Sequence, residues 1–137
     1  EMEKIITLRN RINPKMSIIG NGDILNYQHG VSLCNEYGMD GFMIGRGIFE
    51  NLWAFRRDAD QFRPTVALRL DMLQKHMLLF QKTWGSDKHD AIMKKFFKVY
   101  VRDFDGASEL RAELMGTNSL DAAVAIVENF RTLVDTE

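Results

Sequence analysis

Seven of the ten glycines fall between positions 20 and 47, a window of only 28 residues. Two short apolar runs, residues 16–19 and 41–44, each lead into a glycine turn: Gly20-Asn21-Gly22-Asp23 after the first, Gly45-Arg46-Gly47 after the second. Apolar runs this short and bounded by glycine read as buried strands. Between them, residues 26–37 read as a helix capped by Asn26 and stopped by Gly38. Ahead of them, Ile5, Ile6, Leu8 and Ile12 mark a short amphipathic helix that Asn13-Pro14 ends. After them, residues 48–57 read as helical, with Ile48, Leu52 and Phe55 on one side. The two strands begin about 25 residues apart, which suits a right-handed parallel crossover.

From Ile48 onward only Gly85, Gly106 and Gly116 remain, each between helical stretches. Residues 58–64 are polar and read as a hinge. Val66, Leu70, Leu73, Met77, Phe80 and Trp84 then share one helical stripe. Residues 90–104, 107–115 and 119–134 form three more helices, the last with Leu120, Ala123, Val124, Val127, Phe130 and Val134 inward. The expected fold class is therefore α/β over residues 1–57, then an all-α, four-helix-bundle-like domain over residues 58–137. A two-stranded parallel sheet leaves two open edges and cannot bury both faces. Since a complete (β/α)8 barrel takes about 250 residues, the first 57 read as the last quarter of a larger α/β structure. The chain is expected to be the C-terminal piece of a longer protein, with the missing barrel strands as its natural partner. Failing those, its strand edges would favour self-association.

Charge and composition narrow the class. Net charge is −1 and the pI about 6.4, so no global field draws the chain to nucleic acid or anionic lipid. No apolar run approaches the roughly 20 residues of a transmembrane helix, and no secretory signal opens the chain. A single cysteine, Cys34, and eight methionines suit a cytoplasmic location. Cys34 falls mid-helix, where a lone thiol is ordinarily a small packing residue.

The glycine turns carry the chemistry. Such turns leave amides unpaired, aim a helix N-terminus above the strand ends, and let backbone approach a bulky anion with no Cβ in the way. Arg46 adds a forked cation able to take two phosphate oxygens. The plainer alternative is an Arg46 that is solvated or paired to a carboxylate.

Ile18-Ile19-Gly20-Asn21-Gly22-Asp23-Ile24, followed about twenty residues later by Met43-Ile44-Gly45-Arg46-Gly47, resembles the tRNA-dihydrouridine synthase family. Asn51-Leu52-Trp53-Ala54-Phe55 and Phe104-Asp105-Gly106-Ala107-Ser108-Glu109-Leu110-Arg111 are similar to it too, so the likeness runs from Ile5 onward. It implies an FMN oxidoreductase with an N-terminal TIM barrel and a C-terminal helical tRNA-binding domain. Such an enzyme reduces uridine to 5,6-dihydrouridine in tRNA, with NADPH as reductant. By that resemblance Asn21, Gly22 and Asp23 form one FMN-contacting loop, and Gly45 with Arg46 the other. Leu52 stands where the family usually has proline, a departure that bears on helix entry more than on the flavin site. The family's general acid is a cysteine on an earlier barrel loop. Cys34 does not match it, so no catalytic residue is expected in this chain and the piece alone should be inactive. It should also bind FMN weakly: a helix N-terminus contributes about 0.3–1 kcal/mol per anion, against about 8 kcal/mol for micromolar affinity.

One further expectation concerns RNA. On a helical wheel for residues 90–104, Ile92, Met93, Phe96, Phe97, Tyr100 and Phe104 share one side, and Lys94, Lys95, Lys98 and Arg102 the other. The plainer reading is a solvated face; the resemblance favours phosphate contact. His29, His76 and His89 are too scattered for a metal site, which needs three or four converging ligands. Trp53, Trp84 and the phenylalanines are expected in cores. Two rival functions share parts of this pattern: another FMN-binding TIM-barrel oxidoreductase acting on a small molecule, and a non-catalytic helical interaction module.

Overall fold

A computed structural model describes residues 1–134. The chain divides into two compact units, Glu1–Phe62 and Arg63–Glu137.

The first unit runs α1 (Met2–Ile12), β1 (Ile19–Asn21), α2 (Tyr27–Tyr37), β2 (Gly41–Met43) and α3 (Gly47–Glu50). The strands pair in parallel, with Ile19 opposite Gly41, Gly20 opposite Phe42 and Asn21 opposite Met43. The expected helix punctuation is present. Asn26 accepts from the His29 amide through its side chain, and Gly38 closes α2 in the left-handed region at φ 74°. Ile24, Ile44 and Ala54 form a small buried cluster, with Leu33, Phe42 and Ile48 packed against it.

Several details differ from expectation. β1 starts at Ile19 and carries through Gly20 and Asn21, two residues expected in the turn. Gly20 is buried within the strand because a Cβ there would lie 2.4 Å from the Met39 sulfur. α3 ends at Glu50, not at residue 57. Asn51 takes an extended backbone (φ −143°, ψ 105°) and its Oδ1 accepts from the Trp53 amide. The chain then turns so that Ala54 is fully buried and its carbonyl accepts from the Tyr27 amide at 2.7 Å, while Phe55 is left exposed. α1 shows most of its apolar residues outward: Ile5, Leu8 and Ile12 are exposed, and Ile6 with Arg9 is buried.

The boundary between units falls after Phe62, five residues beyond the expected one. Residues 58–62 belong to the first unit because their side chains bond back into it. Arg56 is paired with Asp58 at 2.8 Å and stacks on Phe62, whose ring also meets Trp53. Asn26 donates to Asp60.

The second unit comprises α4 (Val66–Trp84), α5 (Lys94–Tyr100), α6 (Ala107–Gly116) and α7 (Leu120–Val134), with 3₁₀ turns at Gly85–Asp87 and Asp90–Met93. Leu70, Leu73, Met77 and Phe80 point inward as the stripe requires, and α4 packs on α7 and α5. Phe97, Leu110, Leu114 and Val127 complete the core. Trp84 departs from the stripe: it is exposed, with Lys88 over its ring.

The helix expected over residues 90–104 is shorter. It opens as a 3₁₀ turn, where His89 Nδ1 accepts from the Ala91 amide, and ends at Tyr100. Val101 leaves helical geometry (φ −94°, ψ 82°), Asp103 is left-handed at φ 62°, and Arg111 donates to the freed Val101 carbonyl at 2.7 Å. Arg102 and Phe104 are therefore not on the helix.

Candidate anion site

The five residues singled out at the glycine turns all line one cavity of about 650 Å³, together with Ile24, Leu25, Gly47 and Glu50. Parallel pairing brings them together, because it sets the C-terminal ends of β1 and β2 side by side and both turns leave from that edge.

Gly47 holds the turns close. A Cβ there would lie 2.6 Å from the Ile24 carbonyl oxygen and 3.1 Å from that of Leu25, both backbone atoms that cannot swing aside. Gly22 sits at φ 142°, outside the range of residues with a side chain. Gly45 differs: no atom lies within 4 Å of its would-be Cβ, so neither packing nor backbone requires glycine there. Gly45 is also one of the residues that line the cavity.

Of the donors expected, the turn amides are open and the helix N-termini contribute less. α2 spends its first amides internally: Tyr27 N–H on the Ala54 carbonyl, His29 N–H on Asn26 Oδ1. α3 is a single turn. Among the described residues, the turn amides of Gly22, Asp23, Ile24, Gly45, Arg46 and Gly47 donate to no backbone or side-chain acceptor. Such consecutive free N–H groups form an anion-binding concavity without any helix dipole. Arg46 Nη2 donates to Asp23 Oδ1 at 2.6 Å, and the two side chains are 87% and 82% exposed. Arg46 is thus paired to a carboxylate, as the plainer alternative had it, but at the cavity mouth and across the two turns. Sequence reasoning missed Glu50 and the role of Gly47. Gly47 stood inside the quoted motif, yet the carbonyls that exclude a side chain lie more than twenty residues away.

In the second unit, Lys94, Lys95 and Lys98 border a largely apolar groove of about 590 Å³ with Arg111, Phe97 and Met115. Lys95 and Lys98 are exposed. Lys94 is half-buried and donates to the Met115 carbonyl at 2.7 Å, which closes the C-terminal turn of α6. Arg102 lies outside this groove, against Asp103, so the fourth basic member is Arg111.

The histidines have local partners. His29 Nδ1 accepts from the Leu25 amide, and His76 Nδ1 shares a hydrogen bond with the Tyr100 hydroxyl at 2.8 Å. Burial pushes His76 below its usual value and Tyr100 above. Cys34 is half-buried on α2, away from both glycine turns in sequence. Among the described residues, no three His, Cys, Asp or Glu side chains are grouped to hold a metal, and no helix is long and apolar enough to cross a membrane.

Two βα units whose glycine turns open on a shared cavity, followed by a helical unit, describe an α/β element joined to an all-α one. The family model for dihydrouridine synthase matches residues 1–135, and the chain belongs to that family. It is 42% identical to a probable tRNA-dihydrouridine synthase of Staphylococcus epidermidis over 98% of its own length and 41% of the relative's. It is 40% identical to one from Staphylococcus aureus, over 98% and 40%. A probable tRNA-dihydrouridine synthase 2 of Bacillus subtilis is 37% identical, over 93% and 39%. The chain spans about two fifths of the length of these relatives.

Proposed function

We propose that this chain supplies the flavin-phosphate half-site and the RNA-contacting helical unit of an FMN-dependent tRNA-dihydrouridine synthase. The observation that carries the reading is the cavity between the two glycine turns, with the unpartnered turn amides of its lining residues, among the described residues, and one guanidinium in its lining. A phosphate fits this donor set: it has oxygens enough for several N–H groups, and Gly45 leaves the approach open. Two open strand edges in the first unit, and its exposed Ile5, Leu8 and Ile12, support further α/β structure beside it.

The chemistry that FMN supplies when bound is hydride transfer, from NADPH to the C5–C6 bond of uridine. The residues of this chain hold and orient. The turn amides take phosphate oxygens, Arg46 neutralises charge, and Gly47 keeps the two turns at fixed separation. No residue here is assigned the proton donor, and the chain alone is expected to be inactive. In the helical unit, exposed Lys95 and Lys98 would meet RNA phosphates along the groove that Arg111 and Lys94 complete. Contacts of this kind position a substrate without reading its sequence.

The test is Arg46→Ala in the full-length protein. FMN affinity should fall by about 1.5–3 kcal/mol, the worth of a hydrogen bond to a charged group. Unchanged flavin occupancy would remove Arg46 from the site.

A further inference from the structure

The cavity proposed for an anion is lined by two carboxylates, Asp23 and Glu50, against one guanidinium. Of these, Asp23 stands directly on the cation. Its Oδ1 accepts from Arg46 Nη2 at 2.6 Å, and among the described residues it is the one acceptor on that guanidinium. Its backbone lies in the left-handed region at φ 46°, where asparagine and glycine are at least as comfortable as aspartate. The turn therefore does not require the charge. Nor does the fold, since an ion pair this exposed contributes little to folding.

We infer that Asp23 is an internal counter-anion that limits how tightly the cavity holds a phosphate monoester. The inference rests on the phosphate-site reading given above. An incoming phosphate must take the Arg46 donor from Asp23, and then sits beside the carboxylate it has displaced. Both effects oppose binding. Neither acts on the uncharged part of a ligand. Asp23 thus keeps the bound phosphate exchangeable, and the same glycine turns with a neutral residue at position 23 bind more tightly.

The experiment uses the full-length protein, stripped of flavin, as wild type, Asp23→Asn, Asp23→Gly and Arg46→Ala. Each is titrated with FMN and with riboflavin, which lacks the phosphate. Asparagine keeps the left-handed turn and an acceptor for Arg46 while removing the charge; glycine removes the side chain and covers a failure of the first variant to fold. The expected result is FMN binding about three- to tenfold tighter in both Asp23 variants, with riboflavin affinity unchanged. That gain should shrink in high salt, because the pair is solvent-exposed. FMN affinity that is unchanged or weaker in both Asp23 variants overturns the inference. If Arg46→Ala still weakens FMN in that case, the phosphate-site reading stands without it. If wild type binds riboflavin as tightly as FMN and Arg46→Ala has no effect, both fail together.

Discussion

Arg9 and Asp40, 31 residues apart, meet in an ion pair of 2.6 Å at the ends of the strands opposite the glycine turns. Arg9 is buried, at 8% exposure, and donates also to the carbonyls of Met16 and Gly38. Asp40 Oδ2 accepts in turn from the Ile18 amide at 2.8 Å. One guanidinium thereby ties α1, the approach to β1, the end of α2 and the approach to β2.

Arg9→Ala should lower stability by about 2–3 kcal/mol, because the Met16 and Gly38 carbonyls lose a charged donor. The urea midpoint of the full-length protein, with unchanged slope, is the measurement. The Ile18 amide, and after it the Arg9 guanidinium, hold the Asp40 carboxyl below its usual range. A carboxyl depressed by folding contributes stability that is present above its unfolded value, about 3.9, and is lost as pH falls through the folded value. Asp40→Asn should accordingly flatten the acid limb of stability below about pH 4.

Gly47→Ala and Gly45→Ala should separate folding from binding. At 47 the new methyl meets two backbone carbonyls, so stability should fall by about 1–3 kcal/mol and flavin content with it. At 45 the methyl has open space, so the thermal midpoint should hold while FMN affinity drops. A Gly45→Ala protein with full flavin affinity would mean that no ligand comes close to that turn.

Lys95→Ala with Lys98→Ala should weaken tRNA binding by the full-length protein. The slope of log affinity against log salt should become shallower by about 1.5–2 units, because two phosphates are no longer neutralised. Stability should hardly move. Lys94 is a poor member of this test, because it closes α6 through the Met115 carbonyl and its loss would disturb the fold as well.

His76 should give a second pH dependence. Its value is lowered in the fold by burial, so between the folded value and about 6.5 the unfolded chain binds the extra proton. The stability it contributes is complete above about pH 6.5 and lost as pH falls below that. His76→Gln should flatten the urea midpoint against pH in this window, on top of a pH-independent loss, seen also at pH 8, from the Tyr100 hydrogen bond and ring packing it removes.

What is legible in the sequence is what depends on near neighbours. Asn26 caps and Gly38 stops α2 through bonds within four residues, and Leu70, Leu73, Met77 and Phe80 follow from periodicity alone. The turn residues of the cavity were legible because both turns are local motifs. Arg9 was not, since nothing beside it in sequence marks an arginine whose partner is 31 residues on. Arg102 was misplaced on a helix because the break at Val101 is held by Arg111, a donor ten residues away. Gly20 passed for a turn glycine because the obstacle to its side chain, Met39, comes from the far side of the crossover.

The two glycines that flank Arg46 answer to different pressures. Position 47 is closed by the chain's own carbonyls, so a side chain there costs stability whether or not a ligand is bound. Position 45 is closed only if a ligand fills the space in front of it. If the ligand were dispensable, position 45 would accept a side chain at no cost to the fold and position 47 would not, so the two flanks of one arginine report separately on binding and on folding.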